Sequence, residues 1–230
     1  MNLIPVDVAD RMVTLARREA GWRSAAILLG VILLAVLAVG VLLLWPSGAR
    51  AQSIPAEAHG YKRDIIRAGR NVWGMEAPTA MFSAQVHQES NWKANARSHV
   101  GASGIAQFMP QSSRWISGVY PELSANEPLN PEWGIRALVL YDKWLFDRVT
   151  GASDCHRIAK AIASYNQGIG WTYRAERIAD DPTRWFNGID QVNPGKRPDL
   201  HRETVNYVRR IVIVLTPVYV RAGFGGTFCE

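Results

Sequence analysis

The chain has 230 residues, 48% of them hydrophobic and 20% charged, with a formal net charge of +6. That length holds one catalytic domain and an N-terminal segment. So mild a positive charge suits a polyanionic envelope but makes no case for nucleic acid. Residues 1–24 form a leader with Arg11, Arg17, Arg18 and Arg23. Residues 25–45 carry no charged side chain and are long enough to cross a hydrocarbon core as a helix. The arginines before that run, against Arg50 alone just after it, keep the leader in the cytoplasm and send the rest outward. A buried core helix would show a polar face, and this run has none.

Two fates of the segment are open. Ala49-Arg50-Ala51 reads as a small-x-small cleavage site, which predicts a removed signal peptide and release into the periplasm. The apolar run exceeds the roughly 7–15 residues of a signal core, and its leader is long, which predicts a retained anchor in a bacterial inner membrane. Either fate exports the remainder.

Residues 46–60, rich in Pro, Ser, Gly and Ala, read as a linker to a domain over 61–230. Helical periodicity follows. A first helix spans Tyr61 to Val72, and Pro78 then opens a second at a first-turn position. Phe82, Val86 and Glu89 share one stripe of it, which sets Glu89 on the apolar face near the helix's C-terminal end. Asn130-Pro131 is an N-cap and first-turn proline for a helix with Leu138, Tyr141 and Leu145 buried. Asp154 caps another, with Ile158, Ala161, Ile162 and Tyr165 on one face, and Gly168 stops it. Residues 183–200 form a long irregular loop of the kind that is usually functional or mobile. The last helix carries Val205, Val208, Val212 and Leu215, and Pro217 ends or kinks it. No strand run of useful length interrupts this pattern, so the predicted class is all-α.

A carboxyl on an apolar stripe loses solvation when charged, and a helix C-terminus disfavours an anion. Both push the Glu89 pKa up, toward a group that can act as a general acid near neutral pH. Glu122, Glu127 and Asp142 are further candidate carboxyls that spacing does not exclude. The five histidines show no HExxH and no Cys/His ligand spacing, so no metal is predicted. Cys155 and His156 are adjacent and therefore on different helix faces, which argues against a thiol nucleophile. In an oxidising compartment Cys155 and Cys229 can form one bridge that ties down the glycine-rich tail; otherwise they are two free thiols. Trp92, Trp115, Trp171 and Trp185 could stack on sugars, though aromatic residues are more often core.

Four segments stand in order: Glu89-Ser90; Gly101-Ala102-Ser103-Gly104-Ile105-Ala106-Gln107-Phe108-Met109-Pro110; Ala163-Ser164-Tyr165-Asn166-Gln167-Gly168; and Glu203-Thr204-Val205-Asn206-Tyr207-Val208. With Ser98 and Asn130-Pro131 between them, they resemble the lysozyme-like lytic transglycosylases of the soluble type, glycoside hydrolase family 23-like enzymes related to goose-type lysozymes. The resemblance runs from about residue 74 to 211. It implies a lysozyme-like helical domain that cleaves the MurNAc-β-1,4-GlcNAc bond of peptidoglycan glycan strands and leaves 1,6-anhydroMurNAc. It also implies that Glu89 alone serves as acid and then base, without a cofactor. Ser90 would orient the carboxylate, and Gln107 would line the cleft. Tyr165 would point its hydroxyl at Glu89 and the sugar, Asn166 would be structural or line the cleft, and Tyr207 would either join the site or pack in the core. Gly101 and Gly104 would frame a turn where the chain approaches the sugar. Ile105-Ala106 replaces the family's usual Leu-Met, which removes a sugar contact expected at position 106. A hydrolytic muramidase on the same fold, or a catalytically silent glycan-binding part of an envelope-spanning machine with unknown partner proteins, would carry much the same pattern.

Overall fold

The computed structural model describes residues 53–229, which form one helical unit. Helix α1 spans Ala56–Trp73, α2 Thr79–Ser90, α3 Pro110–Val119, α4 Pro131–Phe146, α5 Asp154–Gln167, α6 Ile169–Glu176, α7 Pro198–Arg209 and α8 Thr216–Arg221. A π-helical stretch, Arg210–Leu215, joins α7 to α8. Two 3₁₀ turns lie at Pro121–Leu123 and Ile189–Gln191. Among the described residues there is no β-strand, only isolated bridges from Ser103 to Arg97 and to Phe108. The apolar run 25–45, with its alternative fates, lies outside the described residues. Among those described, no helix is long and apolar enough to cross a membrane.

Helix α2 is the centre of the domain. Every residue from Thr79 to His87 is buried, so it is covered all round rather than along the single stripe its sequence suggested. It packs against α1, α4, the π stretch and α8, while α4 lies between α1 and α5, and α5 contacts α6 and α7. Pro78 is the residue before its first turn, not within it. No side chain caps α2. The glycine-rich tail meets its first turn instead: the Ala80 N–H donates to the Gly226 carbonyl at 3.2 Å, and the Thr79 hydroxyl donates to the Phe224 carbonyl at 2.6 Å. A Cβ at position 225 would stand 1.9 Å from Thr79 Oγ1, which is why a glycine crosses there.

Three expectations shift at helix ends. The linker predicted over 46–60 is helical from Ala56, because Ala56-Glu57-Ala58 puts good helix formers and an acid in the first turn, and Ala58 is fully buried. The cap of α5 is Ser153, whose Oγ accepts from the His156 amide at 3.4 Å; Asp154 is the first helical residue. Pro217 sits in the first turn of α8, and the helix accommodates its missing N–H by widening into the π stretch just before it. Asn130 caps α4 by accepting from the Glu132 and Trp133 amides, and Gly168 ends α5 at φ +85°. The stretch 183–200 is mostly irregular but anchored by buried Trp185 and Ile189.

Cys155 and Cys229 are joined in a disulfide with Cα atoms 4.8 Å apart. Beside it Phe228 packs on Trp73 and Phe146, so the tail is pinned both covalently and by aromatic contact. The bond closes a loop of 74 residues between α5 and the tail that caps α2. Cys229→Ser should therefore lower unfolding stability by about 2–4 kcal/mol, measured by denaturant titration without reductant. An unchanged midpoint would mean that the aromatic contacts alone hold the tail.

Candidate active site

Glu89 is the penultimate residue of α2, and the chain turns sharply after it. Asn91 and Trp92 both take left-handed backbone angles, at φ 53° and 65°. Trp92, 1% exposed, is locked below the turn: its Nε1–H donates to Tyr219 Oη at 2.6 Å, and that hydroxyl lies 3.0 Å from His87 Nδ1. Burial, with Arg210 nearby, lowers the His87 pKa, so it remains a neutral acceptor for the phenol. Trp92 is thus a core residue, as is Trp185.

The segment from Ala96 to Phe108 forms the next wall. Ser98 Oγ accepts from the Ala102 amide, and the Gly104 amide donates to the Ala96 carbonyl. Gly104 has φ +80°, and a Cβ there would lie 1.6 Å from the Pro128 carbonyl oxygen. Its close neighbour is therefore the domain's own backbone, and a sugar does not explain this glycine. Gly101, at φ +92°, has open space around it, so the turn itself requires it.

The other predicted side chains fall into two groups. Tyr207, from the closing motif on α7, donates its hydroxyl to Glu89 Oε1. It alone of the predicted partners touches the carboxyl. Ser90 Oγ donates to the Ile105 carbonyl at 2.7 Å and so ties the end of α2 to the glycine loop without reaching Glu89. Tyr165 donates to the Ala106 carbonyl at 2.7 Å, again beside Glu89 but not onto it. Gln107, at φ 49°, donates its amide to the Gly104 and Ala96 carbonyls, at 2.9 and 3.2 Å. Asn166 Oδ1 accepts from Thr204 Oγ1 at 2.8 Å, which joins the third motif to the fourth. Lys196, absent from the predicted set, reaches Thr204 and Gln167 at 2.9 Å from the long loop; no periodicity marks such a residue in advance.

Glu89 is partly exposed, yet its carboxyl is well enclosed. Burial raises its pKa from 4.5 to about 7, against the Tyr207 hydrogen bond, which lowers it. Burial, with the charge of Glu89 added, likewise holds the Tyr165 and Tyr207 hydroxyls well above their ordinary value, so both stay protonated donors. Of the other candidate carboxyls, Glu122 and Glu127 are exposed, and Asp142 is fully buried behind Glu89. Tyr141 packs on Tyr165 with ring centroids 5.3 Å apart and also faces a groove of about 310 Å³ lined by Trp115, Trp144 and Ile169. No group of side chains that could hold a metal ion occurs among the described residues.

Residues 66–186, just over half of the chain, match the Transglycosylase SLT domain family. The chain belongs to that family. Proteins called membrane-bound lytic murein transglycosylase F are 30% identical over 109 residues in Shewanella frigidimarina and 31% over 109 residues in Shewanella denitrificans. Those alignments cover 45% of this chain but only 21% of each relative. The lytic transglycosylase Slt of Pseudomonas aeruginosa, solved as an inactive mutant, is similar in fold, with a TM-score of 0.56 at 20% identity over 83% of this chain and 27% of that one. The all-α, lysozyme-like class is thus established for this SLT domain. Tyr207 lies beyond the matched segment, yet among the described residues it makes the one side-chain hydrogen bond to the Glu89 carboxyl.

A carboxyl with a raised folded pKa binds its proton more tightly folded than unfolded, so stability falls as pH rises from 4.5 to about 7. The penalty is absent below that window and complete above it, at about 3 kcal/mol for a shift of this size. Glu89→Gln removes the titration. The variant should match the parent near pH 4 and exceed it in stability at pH 8, as read by urea unfolding at each pH. Parallel pH profiles for the two proteins would contradict the burial of this carboxyl.

Proposed function

We propose that this chain is a peptidoglycan lytic transglycosylase in which Glu89 acts first as general acid and then as general base. The observation that carries the reading is a carboxyl at the end of a buried helix, titrating near neutrality and bonded to one tyrosine, in a chain of the SLT family. Near pH 7 a group of this acidity is populated in both forms, which the two half-reactions require. Protonated Glu89 delivers its proton to the glycosidic oxygen between MurNAc and GlcNAc, and the C1–O bond breaks. Ionised Glu89 then takes the proton of the muramoyl 6-hydroxyl as that oxygen closes onto C1. The product is 1,6-anhydroMurNAc, no water is consumed, and Glu89 ends as it began.

The reading needs one accessible carboxyl, and the geometry agrees: Asp142, the other carboxyl coupled to Glu89, has no exposed surface with which to meet a sugar. Tyr207 stabilises the carboxylate that appears after proton transfer. Ser90 and Tyr165 hold the loop over 96–108 against the ends of α2 and α5, Gln107 braces it from within, and together they set the wall along which the glycan lies. Asn166, at the surface, fixes α7 through Thr204. The exposed face of Trp115 and the groove beside Tyr141 suit the flat apolar faces of further sugars.

The cellular address rests on residues 25–45, which we assign as a membrane-spanning or signal helix that places the domain beyond it, with its substrate, in the periplasm. Relatives called membrane-bound support this.

Two experiments test the proposal. Glu89→Gln should reduce muropeptide release from purified peptidoglycan by at least about 100-fold while the protein stays folded. Mass spectrometry of the parent's products should find muropeptides ending in anhydro-muramic acid, lighter by one water than reducing-end products. A majority of reducing ends would make the protein a muramidase, and no release by the parent would favour a silent glycan-binding part. Separately, a chain beginning at Gln52 should be soluble and cleave sacculi, whereas the full chain should sediment with membranes if the helix is retained as an anchor. An insoluble, inactive shorter chain would give the N-terminal segment a part in folding.

A further inference from the structure

Among the described residues, two buried side-chain polar atoms have no hydrogen-bond partner, Gln85 Oε1 and Asp142 Oδ2. They belong to side chains that already meet, since Gln85 Nε2 donates to Asp142 Oδ1 at 3.3 Å. Both residues are 0% exposed. Asp142 also occupies a place on α4, four residues after Leu138 and three before Leu145, where the buried stripe calls for an apolar side chain.

An ionised carboxylate only accepts hydrogen bonds, as does the amide oxygen, so as an anion Asp142 leaves both atoms unpaired. A carboxylic acid has an O–H to donate. With a proton on Oδ2 the two orphan atoms become donor and acceptor, and the pair closes into a ring of two hydrogen bonds. The surroundings favour that form. The groups facing Asp142 are Glu89 from α2, Tyr165 from α5, Tyr207 from α7 and Tyr141 from its own helix. Burial first, then the charge of Glu89, pushes its pKa well above the usual range, with only the Gln85 hydrogen bond opposing.

We propose that Asp142 is a positioning residue that stays a neutral acid, ring-paired with Gln85 one helical turn before Glu89, so that the floor beneath Glu89 carries no charge while Glu89 releases and regains its proton. The functional half of this rests on Glu89 being the titrating acid; the protonation of Asp142 does not. A fixed anion in that floor would oppose the ionisation of Glu89 and hold it in the acid form.

The test uses the full chain. Infrared difference spectra at pH 7 between the parent and Asp142→Asn should contain the carbonyl band of a protonated carboxylic acid, lost in the variant. Carboxylate bands in its place would overturn the proposal, whatever the enzymatic activity. The pH dependence of glycan cleavage supplies the second readout, taken from the midpoint of the alkaline limb and not from its height. Asp142→Asn exchanges one neutral group for another and should leave that midpoint in place. Gln85→Glu makes two carboxyls share one proton and adds a charge, so the midpoint should rise by about one unit or more. If Asp142 is ionised in the parent the results exchange: Asp142→Asn lowers the midpoint and Gln85→Glu leaves it, and that pattern would sink the idea. Should Gln85→Glu fail to fold, the infrared spectra and Asp142→Asn still decide.

Discussion

A phenol hydroxyl donated into an enclosed carboxyl joins residues 118 positions apart, and the rest of the domain is arranged so that this bond can exist. Desolvation drives the Glu89 proton on, and Tyr207 pulls the other way by favouring the anion. Desolvation wins, but by little enough that the group titrates at about 7. A deeper pocket without the tyrosine would hold a permanent acid, unable to take back a proton. An open one would hold a permanent carboxylate with none to give.

An enclosed carboxyl at a helix C-terminus weakens the fold that contains it, so both ends of α2 need outside support. At the C-terminal end, Trp92, Tyr219 and His87 hold the turn, and Ser90 fastens it to the glycine loop. At the N-terminal end, the tail supplies carbonyls from Phe224 and Gly226, and the Lys62 ammonium donates to the Ala222 carbonyl just ahead of them. These ties span more than a hundred residues each, apart from the Ser90 link and the short step from His87 to Trp92. Helix α2 is therefore stabilised mainly by distant parts of the chain and little by its own sequence. This is the expected arrangement where function demands a locally unfavourable group.

That division also explains what the sequence made legible. Helices α1, α2, α4, α5 and α7 followed from periodicity, whereas α3 and α6 went unmarked; the start of α4 and the end of α5 were readable because Asn130 and Gly168 act locally. The start of α1 was not, since residues before Tyr61 show no periodicity and the burial of Ala58 is set by tertiary packing. Glu89 stood out through its stripe and its motif. The targets of Ser90, Tyr165 and Gln107 did not, because each bonds to a backbone carbonyl, and carbonyls carry no residue identity. Nor did the sequence separate Tyr165 from Tyr207 as the partner of Glu89: the Tyr165 hydroxyl meets the Ala106 carbonyl, and only the tertiary placement of α7 brings Tyr207 to the carboxyl. Asp142 was visible as a carboxyl, but its burial beside Gln85 is a tertiary fact.

The π-helical stretch at Arg210–Leu215 acts as a vernier. Tyr207 and Tyr219 flank it, and both must face α2, one at the Glu89 carboxyl and the other at the Trp92 indole. At 3.6 residues per turn, positions twelve apart on an α-helix end about a third of a turn out of phase. Six residues wound more loosely, at about 4.4 per turn, take back roughly that third. Pitch, and not length, aligns the two phenols. Rewinding the same twelve steps as regular α-helix, with no residue lost, would swing one phenol about 120° away from α2. The spacing between these tyrosines is consequently as much a part of the site as either side chain.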